Sequence, residues 1–131
     1  MFPYLSYFQL LYVSDTFVFY DDVQYMKNGW INRNRILLNK KPHYLTFPVQ
    51  RKALGTSINN SFFIDNIVQV KNKMIKTLYQ AYNKAPYFDI IFPKLQCMLE
   101  SQESNVAQFA EDTVLQIVDY LGINVKTVSS Q

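Results

Sequence analysis

The sequence predicts an α/β fold: a Rossmann-like partial sheet with an N-terminal helix, a strand, a β-hairpin and a helical second half. Residues 15–20 are expected to form a strand, because residues 17–20 are apolar without alternation, which is typical of a strand covered on both faces in a parallel sheet. Residues 31–49 contain two extended stretches around a polar turn, which indicates a hairpin. We expect a single domain over residues 1–131, with an α/β part in residues 1–64 and a mainly helical part with a final strand in residues 65–131.

The first half is predicted to contain one helix, one strand and the two arms of the hairpin. These elements are expected at residues 1–14, 15–20, 31–38 and 43–49. The helix is amphipathic, because Leu5, Phe8 and Leu11 fall on one face. The segment Asn39-Lys40-Lys41-Pro42 is expected to join the two arms. The continuous apolar character of the strand favours a central position in its sheet.

The second half has the apolar spacing of helices. One stripe over residues 67–82 predicts a long helix with a polar opposite face. Pro93 is expected to restart a helical turn. Ser104 is expected to cap the last helix, and Gly122 is expected to end it. Residues 123–128 are then predicted to form a last strand.

Charge is spread unevenly along the chain. Residues 1–52 contain seven lysines and arginines against three acidic residues, whereas residues 101–131 contain one against four. The basic half suits an anionic small molecule such as a nucleotide sugar. No block of Lys and Arg is dense enough for a nucleic-acid stripe, so the composition disfavours nucleic acid as a partner.

The composition also limits metal sites and membrane segments. With a single histidine and a single cysteine, the sequence predicts no zinc site and no metal ligands, and it names no cofactor. No apolar stretch approaches the about 18–20 residues of a membrane span, and a basic signal-peptide start is missing. The chain is therefore expected in the cytoplasm.

Two adjacent acids open the densest polar stretch, residues 20–36. Asp21 and Asp22 follow the apolar strand, flanked by Tyr20 and Gln24. Open α/β sheets bind ligands outside the carboxyl ends of their strands, where carboxylates can bind a metal or sugar hydroxyls, or act as acid and base. The alternative is a turn, in which Asp bonds to the backbone. Because consecutive side chains of an extended chain diverge, we expect one acid to face the pocket, and we favour Asp22.

Two arginines follow at a spacing that places them together. Arg33 and Arg35 share a face of the predicted strand, so each guanidinium can grip a phosphate or carboxylate through two parallel hydrogen bonds. The alternatives are a solvated hairpin face or ion pairs with the aspartates. Asn32 and Asn34 would share the opposite face. Trp30 either stacks on a nucleobase or sugar ring or plugs the sheet.

The remaining candidate is His43, which falls in register with Leu45 and Phe47 and so fits a structural role better than that of a catalytic base. No nucleophile–base pair and no glycine-rich phosphate loop is recognisable. The acids and the guanidiniums are expected to converge on one cleft. The candidate catalytic residues are Asp21 and Asp22, and the candidate substrate-binding residues are Tyr20, Gln24, Trp30, Asn32, Arg33, Asn34, Arg35 and His43.

Four stretches carry a resemblance to a known family. They are FPYLSYFQLL at 2–11, DTFVFYDDVQY at 15–25, GWINRNRILLNKKPHYLTFPV at 29–49 and, more loosely, AYNKAPYF at 81–88. On these runs the sequence resembles the WbqC-like family of bacterial surface-polysaccharide loci. The resemblance implies a cytoplasmic protein found with genes of O-antigen, and hence lipopolysaccharide, biosynthesis. It also implies an enzyme that transfers a small acyl or aminoacyl group, such as glycyl, to a nucleotide-linked sugar; the alternative is a non-catalytic nucleotide-sugar-binding or accessory module.

The chain departs from the family pattern at its ends. Family members begin with a strand that ends in a Gln-Pro pair before the equivalent of Phe2, and they continue with another α/β portion beyond the equivalent of Ser130. They also tend to have glycine where this chain has Ser6. The chain thus resembles a family member trimmed at both ends, which would leave an unpaired edge beside residues 15–20 and puts the activity of this short form in question. Oligomerisation stays open.

Overall fold

The computed structural model describes residues 1–130 as a mixture of helices and short strands. In chain order the elements are α1 (Leu5–Val13), β1 (Thr16–Phe19), β2 (Arg33–Leu38), β3 (Lys41–Thr46), α2 (Ile67–Tyr82), α3 (Phe88–Glu100), α4 (Val106–Tyr120) and β4 (Lys126–Ser129). The strands form a parallel pair, β1 with β4, and an antiparallel pair, β2 with β3. The predicted α/β class is confirmed.

The parallel pair joins the first strand to the last one. Its register runs from Thr16 opposite Lys126 to Phe19 opposite Ser129. The expectation that β1 is central and covered on both faces is wrong, because only Phe19 is buried and β4 is its one partner within residues 1–130. The physical reason is that β1 packs on one side only, where α1 and α4 cover it.

The hairpin is tighter than the sequence predicted. Its turn consists of Asn39 and Lys40 alone, with φ of 51° and 62°. Positive φ at both positions is the geometry of a type I′ turn, whose twist matches that of the flanking strands. Lys41 and Pro42 are already the first residues of β3. Pro42 is tolerated there because the first residue or two of an edge strand need not donate to a ladder.

The helices follow the predicted pattern with local corrections. The helix over residues 67–82 is confirmed as α2. Pro93 lies inside α3 and does not start a new turn. The cap of α4 is Asn105, not Ser104, and its side chain accepts hydrogen bonds from two backbone N–H groups of the first turn. Asn and Ser cap equally well, so residue type alone does not select between neighbours. Gly122, with φ of 66°, ends the helix as expected.

Two hydrophobic clusters hold these elements together. The first centres on the rings of Phe47, Phe63 and Phe109, whose centroids lie 5.5–6.0 Å apart. The second packs Phe8 of α1 and Phe19 of β1 against α4. Because α4 contributes to both clusters, it lies beside both the parallel pair and the hairpin.

Candidate ligand-binding cleft

A cleft of about 540 Å³ lies between the start of the chain, the end of β1, the beginning of the hairpin and α4. Its volume is within the about 300–1,000 Å³ typical of small-molecule sites. The polar side chains along it come from four separate parts of the chain. They are Tyr4, Tyr7, Tyr20, Asp21, Trp30, Arg33, Asn34, Arg35 and Glu111.

The structure brings together some of the candidate residues and leaves others apart. The candidates that line the cleft are Tyr20, Asp21, Trp30, Arg33, Asn34 and Arg35. Those outside it are Asp22, Gln24 and His43, which are exposed, and Asn32, which is buried. One acid and both guanidiniums therefore line the same cleft. They come from two parts of the chain, the segment that follows β1 and strand β2.

Residues 20–22, the aspartate segment, directly follow β1 at the cleft. Asp21 lines the cleft and Asp22 does not, in contrast to the preference for Asp22. Phe19, Tyr20 and Asp21 all line the cleft, so the alternation of the strand does not continue past β1 and does not select between the two acids. Asp21 rather than Asp22 is therefore the acid available to a cleft ligand.

Both aspartates are also tied to the chain after β4. The hydroxyl oxygen of Ser130 lies 2.9 Å from Oδ1 of Asp21 and 2.6 Å from Oδ1 of Asp22. A hydroxyl has one proton, so it donates to one carboxylate at a time. The backbone N–H of Asp21 in turn donates to the same hydroxyl at 3.3 Å. These bonds give the aspartate segment a structural role, through a serine distant in sequence and not through the local backbone bonds of the turn alternative.

Residues 30–35, the arginine segment, are held differently. The guanidinium of Arg33 lies over two aromatic rings, with Cζ 5.1 Å from the centroid of Trp30 and 5.4 Å from that of Tyr44. Its Nε is buried and has no hydrogen-bond partner within residues 1–130. The cation–π contacts fix the plane of the guanidinium without using hydrogen bonds, so its terminal NH2 groups remain available for an anion, whereas Nε is buried. Trp30 is 59% exposed, so it does not plug the sheet.

The two arginines share a face of β2. Arg33 is opposite Thr46 and Arg35 is opposite Tyr44 in the hairpin register. Arg33 is partly buried and Arg35 is exposed, and both line the cleft. The strand therefore presents two guanidiniums side by side, one fixed by rings and one free to move at the rim.

The two asparagines of this segment have structural hydrogen bonds. Asn32 is 6% exposed, and its amide nitrogen donates to the carbonyl oxygen of Phe47 at 2.8 Å. The amide nitrogen of Asn34 donates to the carbonyl oxygen of Phe2. Asn32 thus fixes the base of the hairpin, whereas Asn34 fastens the start of the chain to the wall of the cleft.

Glu111 and Tyr7 are among the titratable groups that line the cleft and that the sequence did not single out. Burial raises the pKa of Glu111; the hydrogen bond from the Ser129 hydroxyl, at 3.2 Å, lowers it, and the charges of Asp112 and Asp21 raise it. Burial and the charge of Glu111 raise the pKa of Tyr7 to about 12. The cleft therefore contains a carboxylate of increased basicity and a phenol that stays protonated at neutral pH.

A signal for Glu111 was present in the sequence. It lies next to Ala110 and three residues before Val114, at the border of the apolar face of the last helix. A carboxylate beside such a face is unusual, because acids are rarely buried unless they are paired. Its distance in sequence from residues 20–36 hid its place in the same cleft.

Within residues 1–130, no three side chains of His, Cys, Asp or Glu come close enough together to hold a metal ion. None of the helices in the same range combines the length and the apolar character needed to cross a bilayer.

Comparison with known proteins gives one family and one curated relative. Residues 1–131 match the WbqC-like protein family. Over 129 residues the chain is 33% identical to a protein of Mycobacterium tuberculosis (strain ATCC 25618 / H37Rv) named "Uncharacterized protein Rv1507c". The match covers 98% of this chain and 55% of that relative, so the chain spans about half the length of the relative. No solved structure matches the chain significantly.

Proposed function

Because the chain belongs to the WbqC-like protein family, we propose that it acts in the biosynthesis of a bacterial surface polysaccharide, such as the O-antigen of lipopolysaccharide. In this proposal the protein works in the cytoplasm, binds a nucleotide-linked sugar in its cleft and transfers a small acyl or aminoacyl group, such as glycyl, to it. The observation that carries the proposal is the meeting of Arg33, Arg35, Asp21 and Glu111 in one cleft.

The arginine segment supplies recognition of the diphosphate. Hydrogen bonds to charged groups contribute about 1.5–3 kcal/mol each, more than those between neutral groups. The guanidinium of Arg33 is already oriented by Trp30 and Tyr44, so it loses little side-chain freedom when an anion binds. Arg35, two residues along the same face, reaches a second phosphate oxygen.

The sugar is bound by Asp21 and by the ring of Trp30. Asp21 can accept hydrogen bonds from sugar hydroxyls while it remains within reach of Ser130. Trp30 offers an exposed ring for stacking against a sugar or a base. Together with the two guanidiniums, these groups match a ligand with an anionic end and a hydroxyl-rich end.

Glu111 and Tyr7 supply the chemistry of acyl transfer in this proposal. An amine or hydroxyl of the sugar attacks the acyl carbonyl, and Glu111 takes the proton that the nucleophile loses; its raised pKa makes it a stronger base than an ordinary carboxylate. Tyr7, protonated at neutral pH, donates a hydrogen bond to the oxyanion that forms on the carbonyl oxygen. The C–O or C–S bond to the donor then breaks, and the proton held by Glu111 leaves with the donor group.

The binding half is tested by calorimetry with a panel of uridine, guanosine and thymidine diphosphate sugars. Arg33→Gln is expected to weaken binding of the preferred ligand about 10- to 100-fold, since one charge-assisted contact is lost. Lys27→Gln, at an exposed position outside the cleft, serves as the charge-matched control and should bind as the unmodified protein does. Equal affinity of Arg33→Gln and the unmodified protein would remove the arginine segment from the site.

A second function is a nucleotide-sugar-binding or accessory module that does no chemistry. The observation that favours it is that the carboxylates of Asp21, Asp22 and Glu111 all accept hydrogen bonds from serines of the chain's last described residues. Such carboxylates serve structure as well as ligand binding. Mass spectrometry of the nucleotide sugar after incubation with acyl donors decides between the two, because an increase by the mass of an acyl group eliminates the module without chemistry.

A further inference from the structure

A second cavity, of about 410 Å³, lies on the other side of the hairpin, between it and helices α2 and α3. Its wall is almost entirely apolar. The main contributors are Leu45 and Phe47 from the hairpin side, Met74 and Leu78 from α2, and Ile91 and Leu95 from α3. It differs from the ligand-binding cleft, whose lining contains acids and arginines.

Within residues 1–130, Arg35 is the one charged residue in the lining of this cavity, and it forms part of the edge together with Asn34. The nitrogen and the oxygen of the Asn34 side-chain amide each already have a hydrogen bond: the nitrogen donates to the carbonyl of Phe2, and the oxygen accepts from the backbone N–H of Arg35. The exposed guanidinium of Arg35 is therefore the charged group that a ligand in this cavity would meet. Phe2, Asn34 and Arg35 also line the cleft, so the two spaces share this wall.

An apolar interior with a single cation at its edge selects one kind of occupant. A peptide segment would bring backbone N–H and C=O groups into a space whose wall offers few partners for them, which is costly. A hydrocarbon chain brings no such groups, and an anionic head on the chain would pair with the guanidinium at the edge.

We propose that this cavity binds the linear hydrocarbon chain of an anionic amphiphile whose phosphate or carboxylate head pairs with Arg35. The site lies outside the cleft of the proposed function and shares with it only the wall that contains Arg35. It does not depend on acyl transfer. A protein that fails to bind nucleotide sugars can still bind this ligand, and the reverse also holds.

The first test is calorimetry of the 131-residue protein with n-alkyl phosphates from butyl to dodecyl, each below its micelle concentration. Burial of each added methylene is expected to increase the affinity about fourfold until the cavity is filled, after which the affinity levels off. Fatty carboxylates of the same lengths distinguish the two head groups and should show the same dependence. An affinity that does not depend on chain length would overturn the proposal.

Filling the cavity tests the location. Leu78→Trp places an indole in the apolar space and is expected to abolish the dependence of affinity on chain length. Gln80→Trp adds the same ring to an exposed position of α2 outside the lining and should keep the dependence. If circular dichroism shows that Leu78→Trp does not fold, Leu78→Ala replaces it, and the levelling-off should then move to longer chains. An unaltered dependence in the folded Leu78 variant would contradict the assignment.

Removing the cation tests the head group. Arg35→Gln is expected to weaken binding of every alkyl phosphate by a common factor of about 10 and to leave the dependence on chain length intact. Alkyl alcohols should bind the unmodified protein about as weakly as alkyl phosphates bind this variant. Equal affinities of phosphate and alcohol for the unmodified protein would contradict a role for Arg35.

Discussion

The arginine segment and the aspartate segment border the same cleft but are held in opposite ways. The guanidinium of Arg33 rests on the rings of Trp30 and Tyr44, and its buried Nε has no hydrogen-bond partner within residues 1–130. The carboxylates of the aspartate segment accept hydrogen bonds from the hydroxyl of Ser130. A charge that is oriented by rings keeps its hydrogen-bonding groups for a ligand, whereas a charge that is oriented by a donor has used part of them.

The difference separates ligand binding from structure within one polar stretch. The arginine segment is suited to ligand binding, and the aspartate segment joins the end of β1 to the chain after β4. The hydrogen bond between Ser130 and Asp21 spans 109 residues in sequence and lies beside the only parallel strand pair among residues 1–130. Substitution of the arginines should therefore act through ligand affinity, and removal of the Ser130 hydroxyl that holds the aspartates should act through stability.

The side-chain hydrogen bonds of the two segments differ in burial. Removal of the buried one, donated by Asn32, should have the largest effect. Asn32→Ala removes the amide that donates to the carbonyl of Phe47 and leaves that acceptor unpaired in the core, with an expected loss of about 2 kcal/mol in the free energy of unfolding. Urea denaturation followed by circular dichroism measures it. Asn72→Ala, at an exposed position of α2, is the control and should not destabilise the protein. A loss as small as that of the control would mean that the base of the hairpin does not need this amide.

The next largest effect is expected for Arg33→Lys, which keeps the charge but loses the planar group between Trp30 and Tyr44. Lysine cannot form two parallel hydrogen bonds or stack as a plane, so the affinity for the preferred nucleotide sugar should fall about tenfold, or about 1.4 kcal/mol. Calorimetry against Arg35→Lys provides the comparison, because Arg35 is exposed and its replacement should have a smaller effect. If both variants bind equally, charge alone and not the stacked geometry determines affinity.

A smaller effect, on stability alone, is expected for Ser130→Ala. The substitution frees Asp21 and Asp22 from their shared donor at the protein surface, and one hydrogen bond of this kind contributes about 1 kcal/mol to the free energy of unfolding. Ligand affinity should change little, since Ser130 does not line the cleft and the substitution keeps both Asp21 and the arginines. Ser6→Ala, exposed on α1, controls for loss of a hydroxyl. A large loss of affinity without a loss of stability would mean that Ser130 positions Asp21 for the ligand and does not serve the strand pair.

Local patterns predicted the parts of this arrangement that depend on neighbouring residues. The alternation of a strand placed Arg33 and Arg35 on one face, and the apolar stripe set the bounds of α2. The choice between Asp21 and Asp22 lies beyond such patterns, because β1 ends at Phe19 and both Tyr20 and Asp21 then line the cleft.

The rest of the cleft depends on contacts between distant parts of the chain. Ser130 reaches Asp21 across 109 residues, and Glu111 enters the cleft because α4 packs against both clusters. No spacing within a single element encodes either contact. The exposure of Trp30 also depends on distant parts of the chain, because a tryptophan beside a hairpin is buried only if another element covers it. Here its ring is exposed and contacts the guanidinium of Arg33.

The smallest predicted effect concerns Glu111, which the sequence did not single out. Its pKa in the folded protein is raised, mainly by burial, so its charged form destabilises the folded state. Below the pKa of an unfolded glutamate, about 4.3, the group is protonated in both states and the cost is absent; it develops as the pH rises through the folded pKa. Because solvent screens a partly exposed group, Glu111→Gln should increase the free energy of unfolding at pH 7 by no more than about 0.5 kcal/mol.

Urea denaturation of Glu111→Gln and the unmodified protein from pH 4 to pH 8 measures this difference. The free energies of unfolding of these two proteins should become equal at the acid end. The control Asp119→Asn, which changes an exposed acid on the same helix, should show no such convergence. If Glu111 is also the base of acyl transfer, the variant gains stability and loses turnover. A carboxylate kept at a cost to folding is expected only where the charge has a use, so a variant that is more stable and equally active would leave Glu111 without a role in the cleft.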